Sequence, residues 1–285
     1  MKTNVVLILS MLSGWIVVCP PANAATLSVT ALSGAIGRLH GINNVNQAVG
    51  NTVGGDEVEA VFYQNGVTSH IEIPGSIQTE AFGIENNARV VGAYTDKTLV
   101  THGYIYFHGN VTNIDYPGST FTQAWGINDP QRVVGNFRDP DTHLQHGFLY
   151  NKGKFTQLDV PGAVSTWPRK INNPGAIVGY FTSGSGPDFH SHGFLYDTRG
   201  NFTRIDVPFA GATDTFLSGI NSAGTMVGYY VDAGGTHGFV DIAGHFFSVD
   251  APGTPPGIGT FALSINDNGA TTAYGLGALL GTLIP

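Results

Sequence analysis

The chain has 285 residues, of which only 11% are charged while 40 are glycine and 15 proline. Such a composition is poor for long helices, since inside a helix glycine costs about 1 kcal/mol against alanine and proline about 3, whereas the frequent Val, Ile, Thr, Phe and Tyr suit a pleated sheet. A formal charge of −8 with no basic patch argues against DNA or an anionic membrane as partner.

Taken in chain order, the first segment reads as a secretory signal. Lys2 supplies the positive start, residues 5–18 a short apolar stretch, and Ala22-Asn23-Ala24 a small-x-small cleavage pattern, so 1–24 is expected to be removed and 25–285 to form one domain outside the cytoplasm, extracellular or periplasmic. The stretch is shorter than the roughly 20 residues of a spanning helix, and Ser10, Ser13 and Gly14 interrupt it, so no membrane span is expected. Cys19, the single cysteine, would leave with the signal, and the mature chain could then form neither a disulfide nor a thiolate site.

A repeat dominates the rest of the chain. Gly41-Ile42-Asn43 recurs as Gly83-Ile84-Glu85, Gly126-Ile127-Asn128, Lys170-Ile171-Asn172, Gly219-Ile220-Asn221 and Ser264-Ile265-Asn266, with third positions 42, 43, 44, 49 and 45 residues apart. A glycine stands seven residues after each of the first five, at Gly50, Gly92, Gly135, Gly179 and Gly228, and a threonine six residues before all but the first, at Thr79, Thr122, Thr166, Thr215 and Thr260. A second block reads His102-Gly103-Tyr104, His146-Gly147-Phe148, His192-Gly193-Phe194 and His237-Gly238-Phe239, with Glu59-Ala60-Val61 in the first copy. A third carries Glu72, Asp115, Asp159, Asp206 and Asp250, each followed two residues later by proline.

Turn residues such as Asn172-Asn173-Pro174-Gly175 and Asn151-Lys152-Gly153 divide each module into about four short strands, and the terminal proline cannot continue a central strand. A period of this length with four strands is the cadence of a β-propeller. Residues 27–31 look like an orphan fourth strand, and the segment from Phe261 onward holds a first strand, a degenerate second and the material for a third. The expected fold is therefore all-β, a propeller of six four-stranded blades, the last completed by both termini so that no edge is left open.

The module resembles the bacterial extracellular HAF repeat, named for a His-Ala-Phe strand start. The resemblance runs from about Gly41 to Ala273 through the His-Gly-Phe-Leu-Tyr runs and the Gly-Ile-Asn segments with their Val-Gly partners. This chain has Gly in place of the Ala, and the last copy has lost its Val-Gly. What the resemblance implies is an exported bacterial repeat protein of unassigned activity.

The once-per-module His102, His146, His192 and His237 and Asp115, Asp159, Asp206 and Asp250 are read as a structural hydrogen-bonded network with the repeated Thr and Asn. They are not read as a metal ring, because blade-spaced groups stand too far apart for zinc. Ligand binding is expected where the copies differ, in the loops between second and third strands: Asp96, Arg138, Asp139, Asp141, His143, Asp188, His190 and Asp232. Calcium is the cofactor these loops could hold, with Asp139, Asp141 and Asp188 as first ligands. Trp125 and Trp167, near the first strands of successive modules, are either core or sugar-stacking residues. No nucleophile elbow, His-Glu-x-x-His pair or phosphate-binding loop occurs, and no catalytic residue is assigned. The expectation is an exported non-catalytic binding or surface-interaction protein with a carbohydrate or protein ligand. The alternatives are a propeller-fold carbohydrate hydrolase or lyase, and a structural component of the envelope.

Overall fold

The computed structural model describes residues 26–31, 36–52, 58–251, 259–274 and 278–284. The expected signal at 1–24, with Cys19, lies outside the described residues. Each module folds into one antiparallel four-stranded sheet, and six such sheets are present. Five are contiguous in sequence. In the sixth, Phe261–Ile265, Ala270–Tyr274 and Ala278–Ile284 are completed by Thr26–Ala31, paired from Thr26 with Ile284 to Ala31 with Leu279. Closure by both termini is thus observed as the repeat count predicted.

The first strands of the modules, Ile36–Ile42, Ser76–Ile84, Thr122–Ile127, Ser165–Ile171, Asp214–Ile220 and Phe261–Ile265, converge on one axis, each touching the next around a closed ring. In the modules that carry glycine there, the approach leaves little room for a side chain: a Cβ on Gly83 would lie 2.8 Å from the Trp125 carbonyl oxygen, and one on Gly126 would lie 2.9 Å from Lys170 Cα. The outer hairpins close through Asn65-Gly66, His108-Gly109, Lys152-Gly153 and Ala243-Gly244, all with positive φ at both positions, as a two-residue turn matched to strand twist demands.

Hydrophobic packing lies between blades. Val91 and Ile114 of blade 2 pack on Ala124, Ile127, Phe137 and Phe148 of blade 3. Val134 and Leu158 of blade 3 pack in turn on Ile171, Ile177, Phe181 and Phe194 of blade 4. A sheet covered on both faces must be apolar on both faces, which accounts for runs such as Ile-Val-Gly-Tyr-Phe at 177–181.

Two polar features join the blades. Next to the axis, the repeated asparagine accepts at Oδ1 from a backbone N–H of its own turn and donates from Nδ2 to the corresponding backbone carbonyl of the next blade. The chain of donors runs Asn43 to Glu85, Asn128 to Asn172, Asn172 to Asn221, Asn221 to Asn266, and Asn266 back to Asn43. Glu85 has no proton to donate, so the ring is open between blades 2 and 3. Its carboxylate instead accepts from Arg89 N and lies 3.6 Å from the Arg89 guanidinium. Further out, the buried threonines clip each blade to its predecessor: Thr122, Thr166, Thr215 and Thr260 accept from the backbone N–H of Tyr116, Val160, Val207 and Ala251.

Every innermost strand also carries a bulge, between Leu39 and Gly41, Ala81 and Gly83, Ala124 and Gly126, Pro168 and Lys170, Leu217 and Gly219, and Ala262 and Ser264. A bulge re-aims the residue it contains. Here those residues are His40, Phe82, Trp125, Arg169, Ser218 and Leu263.

Candidate functional site

The repeated histidines sit at the blade rims, each paired with the aspartate of the neighbouring strand: His102 with Asp115 at 3.0 Å, His146 with Asp159 at 2.8 Å, His192 with Asp206 at 3.1 Å and His237 with Asp250 at 3.0 Å. Each ring also lies against an aromatic side chain of the second strand, Tyr94, Phe137, Phe181 or Tyr230. The aspartates are 30–51% exposed. The expectation of one buried network shared by His, Asp, Thr and Asn is therefore revised: the modules carry a half-exposed His–Asp pair, a buried Thr clip and a buried Asn ring at three different radii. In the first blade the pair is inverted, with Glu59 in the histidine slot accepting from His70 at 2.8 Å.

Hydrogen bonding to Asp250 raises the His237 pKa above its ordinary 6.5, with Asp232 adding to the effect. A raised folded-state pKa means that the pair's contribution is complete below about 6.5 and is lost as pH rises through the folded value. The melting-temperature gap between wild type and His237→Gln is therefore expected to be wider near pH 5.5 than near pH 9. A gap independent of pH would show that the pair does not titrate.

The aspartates of the variable loops shape their own hairpins. Asp96 Oδ1 accepts from Thr98 N, Thr98 Oγ1 and Val100 N. Asp139 Oδ1 accepts from Asp141 N, Thr142 N and Thr142 Oγ1. Asp232 Oδ1 accepts from Gly234 N and lies 3.3 Å from His237 Nε2. These short-range bonds hold Asp96 and Asp139 well below the ordinary carboxylate range. Arg138 lies over the Phe121 ring, His143 occupies a left-handed turn position, Asp188 ends a single 3-10 turn at Gly186–Asp188, and His190 stands 3.8 Å from Asp214. Among the described residues no group of three His, Cys, Asp or Glu side chains is placed to hold a metal ion, so the calcium ligand set expected from Asp139, Asp141 and Asp188 does not assemble.

What the loops surround is a funnel on the axis. The start of each innermost strand pairs with the end of the second, Ser165 with Thr182 for example, so the variable loops lie at the end where those strands begin. At that end a cavity of about 160 Å³ is lined by Arg38, His40, Trp125, Arg169, Lys170, Ser218, Tyr229, Phe261, Leu263 and Tyr274. The blades differ in the cross-strand pairs at this level, of which only Arg38, Tyr229, Phe261 and Tyr274 line the cavity itself. In blades 4 to 6 the cross-strand pairs at this level are Trp167 with Tyr180, Phe216 with Tyr229 and Phe261 with Tyr274. The first two are stacked at 4.9 and 4.6 Å. In blades 1 to 3 the same positions hold Arg38 with Asn51, Glu80 with Ala93 and Gln123 with Asn136.

Across the floor, Trp125 stacks on Phe82 at 3.8 Å, and the Arg169 guanidinium covers its other face at 3.6 Å. Arg169 Nη2 donates to the Tyr180 hydroxyl at 2.9 Å, whereas its Nη1 is buried without a partner. Lys170, standing where four other modules have glycine, sends its amine across the axis to the carbonyl oxygens of Phe82 and Trp125. Burial and the neighbouring Arg169 push its pKa down to about 7. His40 is held neutral, pushed down to about 3 by burial first and then by Lys170, Arg169 and Arg38. Of the residues in and around the funnel, sequence reasoning singles out only Trp125 and Trp167. The available signal was Lys170-Ile171-Asn172, the one copy with a charge in the glycine position.

No family model matches the chain, and no curated protein sequence matches it. Among solved structures it is similar to a gluconolactonase from Xanthomonas campestris, with TM-score 0.54 and 10% identity over 90% of each chain. It is also similar to virginiamycin B lyase from Staphylococcus aureus, with TM-score 0.50 and 11% identity over 92% of this chain and 100% of that one. A fucose-specific lectin from Aleuria aurantia matches with TM-score 0.50 and 11% identity over 92% of this chain and 96% of that one. At these identities the likeness concerns the propeller fold. The described residues contain no helix long and apolar enough to cross a membrane.

Proposed function

We propose that this chain is an exported, non-catalytic binding protein that takes a carbohydrate into the axial funnel, its variable loops framing the mouth. The observation that carries this reading is the funnel lining itself, in which the aromatic rings of Trp125, Tyr229, Phe261 and Tyr274 stand beside the polar Arg38, His40, Arg169, Lys170 and Ser218. Sugars present apolar C–H faces to aromatic rings and hydroxyls to amides and charged groups, and a concave site with convergent polar groups in an apolar lining is the usual form of a ligand pocket. The funnel also holds an unspent donor at Arg169 Nη1, which a hydroxyl or carboxylate oxygen can satisfy. The likeness to a propeller named as a lectin agrees with this reading. Export rests on the signal pattern at 1–24 and on the resemblance to HAF-repeat proteins.

A glycosidase of the usual kind needs two carboxyl groups flanking the bond it cleaves. Glu80 borders the funnel on the polar side, and the described residues lining the cavity include no carboxylate. A glycan array probed with the full chain is expected to give saccharide hits that Tyr229→Ala, in the cavity lining, weakens about tenfold, or 1.4 kcal/mol. Hits unchanged by Tyr229→Ala would place binding outside the funnel.

A further inference from the structure

The funnel carries a cluster of cations in a chain whose formal charge is −8. Arg38, Arg169 and Lys170 all line the cavity, and among the described residues none of them makes an ion pair. Each charge is met by something that cannot neutralise it. Arg38 lies over the Tyr274 ring, Arg169 over Trp125, and Lys170 against two backbone carbonyls. The one nearby carboxylate, Glu80, accepts from Asn51 and has its pKa raised by burial, against which the charge of Arg38 acts without forming an ion pair. A cation removed from water without a counter-ion is costly, and a buried guanidinium N–H without an acceptor adds to that cost.

We propose that the funnel selects an anionic sugar, a uronate whose carboxylate is received by Arg169, Lys170 and Arg38 while its ring rests on the aromatic wall. This rests on the carbohydrate reading above. The planar guanidinium fork suits a carboxylate, and Arg169 Nη1 supplies the free donor. A small inorganic anion would leave the rings of Tyr229, Phe261 and Tyr274 without an occupant.

Glucuronate and glucose form a matched pair of probes, differing only at C6, where one carries a carboxylate and the other a hydroxymethyl group. Calorimetric titration of the full chain is expected to show glucuronate binding at least tenfold tighter than glucose, with the preference shrinking as salt is raised. Arg169→Gln should bring the ratio towards one. Lys170→Gln provides the same readout should Arg169→Gln fail to fold. Affinity for glucuronate should also fall as pH rises through about 7, where Lys170 loses its charge. Equal affinity for the two sugars would overturn the anionic inference and leave the carbohydrate reading intact. Phosphate binding as tightly as glucuronate would overturn the sugar part of the inference. Heat from neither sugar, together with array hits indifferent to Tyr229→Ala, would overturn both readings.

Discussion

Gly135→Ala is expected to lower the melting temperature by roughly 10 °C, the consequence of about 3 kcal/mol of overpacking in a domain of this size. A methyl group there would lie 1.9 Å from the Gln123 carbonyl oxygen and 2.7 Å from Phe148 Cζ. Neither neighbour can retreat. Gln123 is in register with Asn136 beside the bulge of the innermost strand, and Phe148 is fully buried in the layer between blades. Gly50, Gly92, Gly179 and Gly228 face the same carbonyl at 1.8–2.1 Å, so a single steric cause underlies the glycine seven residues after each of the first five Gly-Ile-Asn positions. Gly153→Ala is the control. Its φ is +86° but nothing stands within 4 Å of the added carbon, so only the conformational cost of about 1 kcal/mol applies. Equal melting temperatures for the two variants, measured by circular dichroism, would show that the bulge does not press on the second strand.

The blades were legible in the sequence because their cause is local and repeated. Turn residues, apolar runs and the proline stop recur with each module, and matching fragments at the two ends announce the shared sixth blade. The funnel was not legible, for two physical reasons. Its lining is gathered from seven strands as far apart as those of Arg38 and Tyr274, which meet only because the ring closes. In addition, the bulge shifts strand alternation by one residue, so Trp125 and Arg169 point where an uninterrupted period of two would not send them. The loop aspartates show a purely local arrangement. Asp139 has the residue type and setting of a cation ligand, yet its donors lie two and three residues away in its own hairpin.

The asparagine ring gives the other large effect. Asn172 donates to Asn221 O at 3.0 Å and accepts from Gly175 N and Ala176 N at 2.9 and 2.8 Å, so Asn172→Ala leaves one carbonyl and two N–H groups without these partners. Asn221 O still accepts from Gly224 N and Gly175 N still donates to Asn172 O, so the loss is one unpaired N–H and two weakened sites, about 2 kcal/mol, and a fall of roughly 6 °C is expected. Asn172→Asp keeps the acceptor, removes the donor and buries a charge. Blade 2 shows how such a charge is tolerated, since Glu85 has Arg89 four residues on, 3.6 Å away. Blade 3 has Arg132 in the equivalent position, with its Nε buried and unpartnered, whereas blade 4 has Ala176. Asn128→Asp is therefore expected to be milder than Asn172→Asp, because a guanidinium stands ready only in the former. Matched guanidinium-chloride midpoints decide the point. Equal losses for the two aspartate variants would show that arginine does not compensate the carboxylate in this ring, and an Asn172→Ala protein melting within about 2 °C of wild type would show that the ring does not hold the blades together.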